Sequence, residues 1–325
     1  MDPSIEYCCP ACRGDLDGAE ESWRCLSCDR TYPCTLGFPD FRLMTPQGFD
    51  RQLDFEAAKR LAGHERASSF EDLLELSYEL QPPASGALKA RHLAHFMAEA
   101  EQAQTAFRDL AAPAGPLLDA GCGLGAYLAA PTEFAPRVGV DAALFQLVLA
   151  RKRLAQLGVT ATLVAGDVQR LPFRLGSFAC ATAADLIEHV DSPADVIREL
   201  SRALQPGGRA FVSTPNRFSL TPEPHVGVWG LGFWPRKLAI EYVRRKFDVD
   251  YRTIQPPSYR GFRRAMRAFD GELDFRLPQP GPVELATFSG AKRVLAQAYL
   301  GLSRTPISAA MRVFSPYFIA LGTRR

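Results

Sequence analysis

The sequence predicts an α/β protein: a parallel sheet with helices on both faces, preceded by a small metal-held ribbon and a helical cover. Three observations carry that expectation. Two C-x-x-C pairs fall within the first 43 residues, apolar residues recur at helical spacing over roughly 50–110, and short apolar runs alternate with amphipathic stretches from Pro116 onward. The 325 residues, 47% hydrophobic and 23% charged, have the balance of an ordinary folded chain, which argues against disorder.

The opening "MDPSIEYCCP" lacks the basic start and apolar core of an export signal, and no uninterrupted apolar run reaches spanning length. Eight cysteines in such a chain are expected as reduced thiols, and the protein as cytoplasmic or at most peripheral to a membrane. A net charge of +2 neither demands nor excludes nucleic acid. Charge is uneven, however: from Trp229 to Arg267, ten Lys/Arg face three acids.

In the ribbon, "CPAC" (9–12) and "CLSC" (25–28) stand twelve residues apart. Two such knuckles can bring Cys9, Cys12, Cys25 and Cys28 to the corners of a tetrahedron around Zn²⁺. So short a stretch cannot bury enough apolar surface to fold unaided, and the ion would supply the missing stability. Four thiolates close the coordination shell, so the expected role is structural. Cys8 and Cys34 are spares. With Tyr32-Pro33 and Gly37-Phe38-Pro39 following, residues 1–43 resemble zinc-ribbon modules of the tRNA-methyltransferase activator type, which implies a ribbon fused ahead of a methyltransferase domain.

Residues 44–110 read as a helical lid or linker broken at Pro82-Pro83. Leu88, Leu93, Phe96, Met97, Ala100 and Phe107 form one apolar stripe. His92 and His95 share that stretch, and such a pair is more often surface or core than ligand.

From Pro116 the chain reads strand "PLLDAGC", strand "RVGVD", helix "AALFQLVLARKRLAQLG", strand "TATLVAGD", strand "SFACATAADL", helix "SPADVIRELSRALQPGG" and strand "RAFVSTP". Right-handed crossovers would put every strand's C-terminal end, and the ligand, along one edge. "LLDAGCGLGAY" places Gly121, Cys122, Gly123 and Gly125 where the first strand turns into a helix. The spacing is G-x-G-x-G, not the dinucleotide G-x-G-x-x-G, and Asp119 would repel a pyrophosphate. A cofactor that has no phosphate and carries an ammonium removes the conflict, and S-adenosylmethionine fits that description. Asp141, with Ala142 after it, would accept from the ribose hydroxyls. Asp167, with Val168, would accept from the adenine amino group, and Asp185 falls near the sulfonium.

With "LLDAGCGLG", "VGVDAA", "GDVQRLPF", "LIEHVDSP" and "LQPGGRAFVSTPN" in order, residues 111–215 resemble class I S-adenosylmethionine-dependent methyltransferases of the ubiquinone-biosynthesis type. The resemblance implies a Rossmann-like seven-stranded sheet whose last strand, here "SPYFIALGTRR", runs antiparallel. Residues 111–325 then form the methyltransferase domain, with a substrate-covering insertion at about 215–275. Phe178-Ala179 stands where the family usually has Phe-Asp.

Methyl transfer to a hydroxyl needs a base. Glu188 and His189 in "DLIEHV" are the first candidates, with Asp185 behind them; the competing role for the pair is to fix the loop through backbone bonds. His225, in a long Pro/Gly-rich loop with Asn216, Trp229 and Trp234, is the alternative base. "ADLIEHV" lacks the Asn/Asp-Pro-Pro-aromatic tetrad of N6-adenine and glutamine methyltransferases, which disfavours those acceptors. The basic and aromatic segment 229–267 suits a lipid headgroup layer, a phosphorylated carrier or RNA, or is simply a solvated basic helix. The expected reaction is O-methylation of a small hydroxylated metabolite, a sugar or a lipid-linked precursor. The alternatives are an rRNA base methyltransferase whose ribbon contacts RNA, and a zinc-ribbon interaction protein that docks a partner enzyme.

Overall fold

The structure, a computed structural model, describes residues 5–19, 21–45, 48–80, 99, 102–130, 133–279, 289–303 and 305–325. His92, His95 and the expected stripe from Leu88 to Ala100 lie outside the described residues.

The first segment is a four-stranded antiparallel sheet, β1 (Leu16–Ala19), β2 (Ser22–Cys25), β3 (Thr31–Thr35) and β4 (Phe38–Pro39), in the order β1-β2-β3-β4. Strand β2 alternates exposed and buried residues, so Trp23 and Cys25 turn to one face. Trp23 and Tyr32 pack on Phe41 at ring distances of 5.4 and 5.2 Å, and Tyr7 bridges Phe41 to Phe173 at 5.2 and 5.7 Å. These rings bury the small sheet against the same core as the large one. Polar contacts fix the seam: Cys8 donates its thiol hydrogen to the Phe173 carbonyl at 3.0 Å. Arg13 donates to the Leu171 carbonyl at 2.6 Å and pairs with Glu199 at 2.7 Å. The spare cysteine Cys8 is thus a docking contact.

Helices α1 (Arg51–His64) and α2 (Phe70–Leu80) follow. The Asp50 side chain caps α1 by accepting from the Gln52 and Leu53 N–H groups, which satisfies donors the first turn leaves open. Ala57, Ala58 and Leu61 face inward, and Leu73 and Leu74 do the same on α2.

The main sheet then builds as β5 (Leu117–Ala120), α3 (Ala126–Ala129), β6 (Arg137–Asp141), α4 (Leu144–Gln156), β7 (Thr162–Ala165), β8 (Phe178–Ala184), α5 (Pro193–Ala203) and β9 (Leu204–Pro215). Helix α6 (Arg236–Phe247), α7 (Tyr259–Met266), β10 (Gly271–Arg276), α8 (Gly290–Ser303), α9 (Ser308–Phe314) and β11 (Tyr317–Arg324) complete the chain. Seven strands run in the order β10-β11-β9-β8-β5-β6-β7. β5 to β9 pair in parallel, and β11 pairs antiparallel with both β9 and β10, as expected for "SPYFIALGTRR". The order reverses between β5 and β8, and a parallel sheet opens its ligand crevice at that switch point. Phe178-Ala179 begins β8, at the end of the strand away from that crevice, so the departure from the usual Phe-Asp does not touch the cavity.

The segment 215–275 is not a single insertion. Its first part has a small core of its own, with Val226, Leu231, Ala239, Val243, Tyr251 and Ile254 buried together. Its second part belongs to the main body. Phe262 of α7 stacks on Phe318 at 5.3 Å, and β10 is a sheet edge whose alternating exposure reflects one covered face. The basic charge of 229–267 is divided accordingly. Arg244 and Arg245 stand in solvent beside Glu241 on α6, while Arg263 lies over the Tyr259 and Phe275 rings.

Candidate functional site

A cavity of about 530 Å³ opens at the C-terminal ends of β5 to β8. Its floor is the loop after β5. Gly121, Gly123 and Gly125 all have left-handed φ, at 72°, 48° and 73°, which only glycine adopts without strain. At Gly121 a Cβ would also come within 2.6 Å of the Leu186 side-chain tip, which would have to shift, so it is the backbone shape that calls for glycine.

Asp141, at the end of β6, holds this floor. Its Oδ2 accepts from the Gly123 N–H and its Oδ1 from the Ala143 N–H, both at 2.9 Å. One carboxylate thus ties the glycine loop to the start of α4 and keeps further lone pairs toward the cavity. A second acid, Asp54 of α1, caps α4 from below by accepting from the Leu144 and Phe145 N–H groups at 3.1 and 3.2 Å. Arg42 bridges Asp54, Asp40 and the Ala142 carbonyl, so the segment after the ribbon closes this side. Asp167 accepts from the Gln169 N–H through Oδ1 at 2.9 Å, while its buried Oδ2 meets no protein donor among the described residues.

Of the residues singled out in the sequence, Gly121, Gly123, Asp141, Ala142, Asp167, Val168, Asp185, His189 and His225 line the cavity. Asp119 does not. It lies under the loop, 2% exposed, accepting from the Thr182 hydroxyl at 2.7 Å, so it acts on the cavity through charge and not by contact. Cys122 is buried beneath the loop against Gly139, and Gly125 faces Ala150 and Leu154 of α4. Glu188 is fully buried, beside His189 and outside the cavity lining. Asn216, Trp229 and Trp234 do not line the cavity either. The Asn216 amide donates to the Val313 and Ser315 carbonyls, Trp229 is 67% exposed, and Trp234 packs on Tyr242 at 5.2 Å.

Electrostatically the site is crowded with acid. Burial first, and Asp141 as a further negative charge, push Asp119 up to about 7 against the pull of Thr182. Burial first and Asp185 second push both Glu188 and Glu99 up to about 8. Deep burial, with other acids nearby as the smaller cause, keeps protons on these carboxyls well above their ordinary range.

Two histidines cross at the rim. His225 Nε2 is 3.3 Å from His189 Nε2, with the rings at 80°. His225 Nδ1 is held by Glu223 at 2.5 Å, and Glu223 also accepts from the Val226 N–H. Burial alone would lower His225, but the bond and charge of Glu223, with Glu188 and Asp185, outweigh it and raise the pKa. His189 moves the opposite way, lowered by burial first and by His225 second, so it stays neutral. Sequence reasoning missed Glu223, whose only signal is the i, i+2 spacing in "EPH", and it missed Glu99 and Arg42, which reach the cavity from the N-terminal segment.

Outside the lining of this cavity, the Sγ atoms of Cys9, Cys12, Cys25 and Cys28 all lie within 4.8 Å of one another, with Cys9–Cys28 at 3.6 Å and Cys12–Cys25 at 3.4 Å. A tetrahedral ion with bonds of about 2.3 Å to sulfur spans roughly 3.8 Å between ligands, so the donor set fits zinc. The Tyr32 hydroxyl hydrogen-bonds Cys9 Sγ at 3.0 Å.

Residues 118–212 match the family described as "Methyltransferase domain". An uncharacterized 37.1 kDa protein in a transposon of Streptomyces fradiae is 31% identical over 183 residues, 55% of this chain and 49% of the relative. The ubiquinone biosynthesis O-methyltransferase of Nitrosococcus oceani is 34% identical over 112 residues, 34% of this chain and 46% of the relative. The chain thus spans about half the length of these curated relatives. Among solved structures, a Thermotoga maritima S-adenosylmethionine-dependent methyltransferase, described as a possible histamine N-methyltransferase, has a TM-score of 0.45 at 20% identity, covering 73% of this chain and 92% of its own. A geranyl diphosphate C-methyltransferase from Streptomyces coelicolor has a TM-score of 0.47 at 19% identity, covering 75% and 86%. Residues 118–212 are thus similar to a methyltransferase domain, and they form much of the Rossmann-like, mostly parallel seven-stranded sheet.

Proposed function

We propose that the chain is an S-adenosylmethionine-dependent methyltransferase that acts on a hydroxyl of a small metabolite, a sugar or a lipid-linked precursor. The observation that carries this reading is the ring of carboxyls around one cavity: Asp141, Asp167 and Asp185 on its wall, Asp119 beneath it. Such a wall disfavours a diphosphate and favours a cation. The glycine floor, the Asp141 lone pairs and the partnerless Asp167 Oδ2 match a ligand with an ammonium, a ribose diol and an adenine amino group. Bound there, the cofactor supplies an electrophilic methyl group on a sulfonium. The protein's part is to hold the acceptor in line with that group, and positioning of this kind is worth about 7–11 kcal/mol in well-oriented systems. His225, its Nδ1 held by Glu223, would receive the acceptor's proton on Nε2, while neutral His189 steadies it. A thermal-shift series with the cofactor and its demethylated product tests the reading; no shift at millimolar ligand ends it.

The four cysteines fit structural zinc in the same account. On the segment after β9, Trp229, Phe233, Trp234 and Leu238 are exposed at 39–67%, with Lys237 next to Leu238 in the chain, which suits the headgroup layer of an anionic membrane and hence a lipid-linked acceptor. Among the described residues, no helix is long and apolar enough to cross a membrane.

A further inference from the structure

We propose that His189, His225 and Glu188 form a second metal site, one that takes a borderline divalent ion such as Zn²⁺ or Co²⁺ through two imidazole nitrogens and one carboxylate oxygen. The three ligand atoms lie within 4.8 Å of one another. The decisive distance is the 3.3 Å between the two Nε2 atoms. That is long for a hydrogen bond between ring nitrogens. It equals the span between two ligands of a tetrahedral ion with bonds of about 2.0–2.1 Å, which comes to roughly 3.3 Å.

The ligands are also pre-oriented. Glu223 takes the Nδ1 hydrogen of His225, which leaves Nε2 with a lone pair aimed at His189. The Thr214 hydroxyl donates to Glu188 Oε2 at 2.8 Å and fixes that carboxylate. Its other oxygen, Oε1, is 3.9 Å from His189 Nε2, in a side chain with no solvent exposure, and meets no protein donor among the described residues. A buried carboxyl oxygen left without a partner is costly, and an ion that displaced the proton of Glu188 would satisfy it. Outer partners that set ring tautomer and carboxylate angle are the usual support of metal ligands.

One of the three ligands lies outside the region matched to the methyltransferase family. Glu188 and His189 fall within 118–212, whereas His225 and its partner Glu223 come from the covering segment after β9. The ion would therefore join the covering segment after β9 to the sheet edge. Three protein ligands leave a tetrahedral ion one open position, and both histidines border the cavity. With Nε2 of His225 on the ion that nitrogen no longer serves as the base, and an acceptor hydroxyl bound at the open position would lose its proton to water, its oxygen remaining on the metal as the methyl acceptor. That last role rests on the methyl-transfer reading; binding of the ion does not.

The test uses full-length protein with its four-cysteine site already filled with zinc. Added Co²⁺ should bind once more per chain, giving weak visible absorption without the strong near-ultraviolet bands of cobalt–thiolate bonds. Calorimetry should show the same event abolished in H225A and in H189A, and weakened about 10–100-fold in E223Q, as loss of an outer partner does. Each variant is first checked by thermal melt without added ion; if one fails to fold, the other carries the test. Absence of a second binding event in the wild type, or an event that survives both histidine substitutions, overturns the proposal in favour of a proton shared between the rings. Binding of the demethylated cofactor is measured in parallel. A chain that binds it but takes no second ion loses only the metal site, and a chain that takes the ion but ignores the nucleoside loses only methyl transfer.

Discussion

Asp119 should make cofactor affinity depend on pH. In the free protein its carboxyl is buried, beside Asp141, with a pKa near 7 against an ordinary 3.8. The folded state therefore holds this proton more tightly than the unfolded chain does. Its contribution to stability is fully present below the unfolded pKa and is lost as pH rises through about 7. A cationic ligand above the loop reverses the preference, since it binds best once Asp119 has ionised. For one group with a pKa of about 7 that must lose its proton, the penalty on binding is about elevenfold at pH 6 and nearly nothing at pH 8. Adenosylhomocysteine should accordingly bind about tenfold more tightly at pH 8 than at pH 6, releasing a proton as it does so. Glu99, pushed up to about 8, would steepen the same trend. The assay is titration calorimetry at pH 6, 7 and 8 in two buffers of different ionisation enthalpy. Asp119→Asn keeps an acceptor for the Thr182 hydroxyl and should flatten the profile. Affinity that is constant across the range, or tighter at pH 6, would refute the electrostatic argument.

Asp141→Ala removes the acceptor for two backbone N–H groups and, in this account, for the ribose; binding should weaken about 100-fold, equivalent to roughly 3 kcal/mol, with only a modest fall in melting temperature. Glu223→Gln should lower turnover with cofactor affinity unchanged in calorimetry, because Glu223 touches His225 and not the nucleoside pocket. Cys25→Ser should abolish zinc retention in elemental analysis and destabilise the protein by several kcal/mol in denaturant melts, since the same sulfur is buried in the core shared with the main sheet. Replacing Trp229 and Trp234 with Ala should reduce sedimentation with anionic vesicles severalfold while leaving cofactor binding intact; unchanged sedimentation would remove the membrane role.

The parts of this protein that were legible in sequence are those where one residue type is forced by geometry. "RVGVD" and "LLDA" are short apolar strands buried on both faces, a pattern that has few alternatives. The glycine loop announces itself because three left-handed φ values in one loop disfavour other residues. Strand β10 was not legible. "GELDFR" alternates charge with apolar residues at an edge, and its partner β11 lies forty residues downstream. The placement of Asp119 was half legible: its sign pointed to a cationic ligand, but a strand's alternation decides whether a side chain faces the cavity or the layer below. Contacts between distant segments were least visible. Arg42 on Ala142, Asp54 on the first turn of α4, and Glu223 behind His225 depend on chain crossings that no local pattern encodes.

The central claim is that the glycine loop and its acids receive a cationic amino-acid moiety and reject a diphosphate. Calorimetric titration of the unmodified chain with adenosylhomocysteine and, separately, with NADH measures this directly. Saturable binding of adenosylhomocysteine alone is the predicted result. Tight binding of NADH with no heat from adenosylhomocysteine would contradict the account.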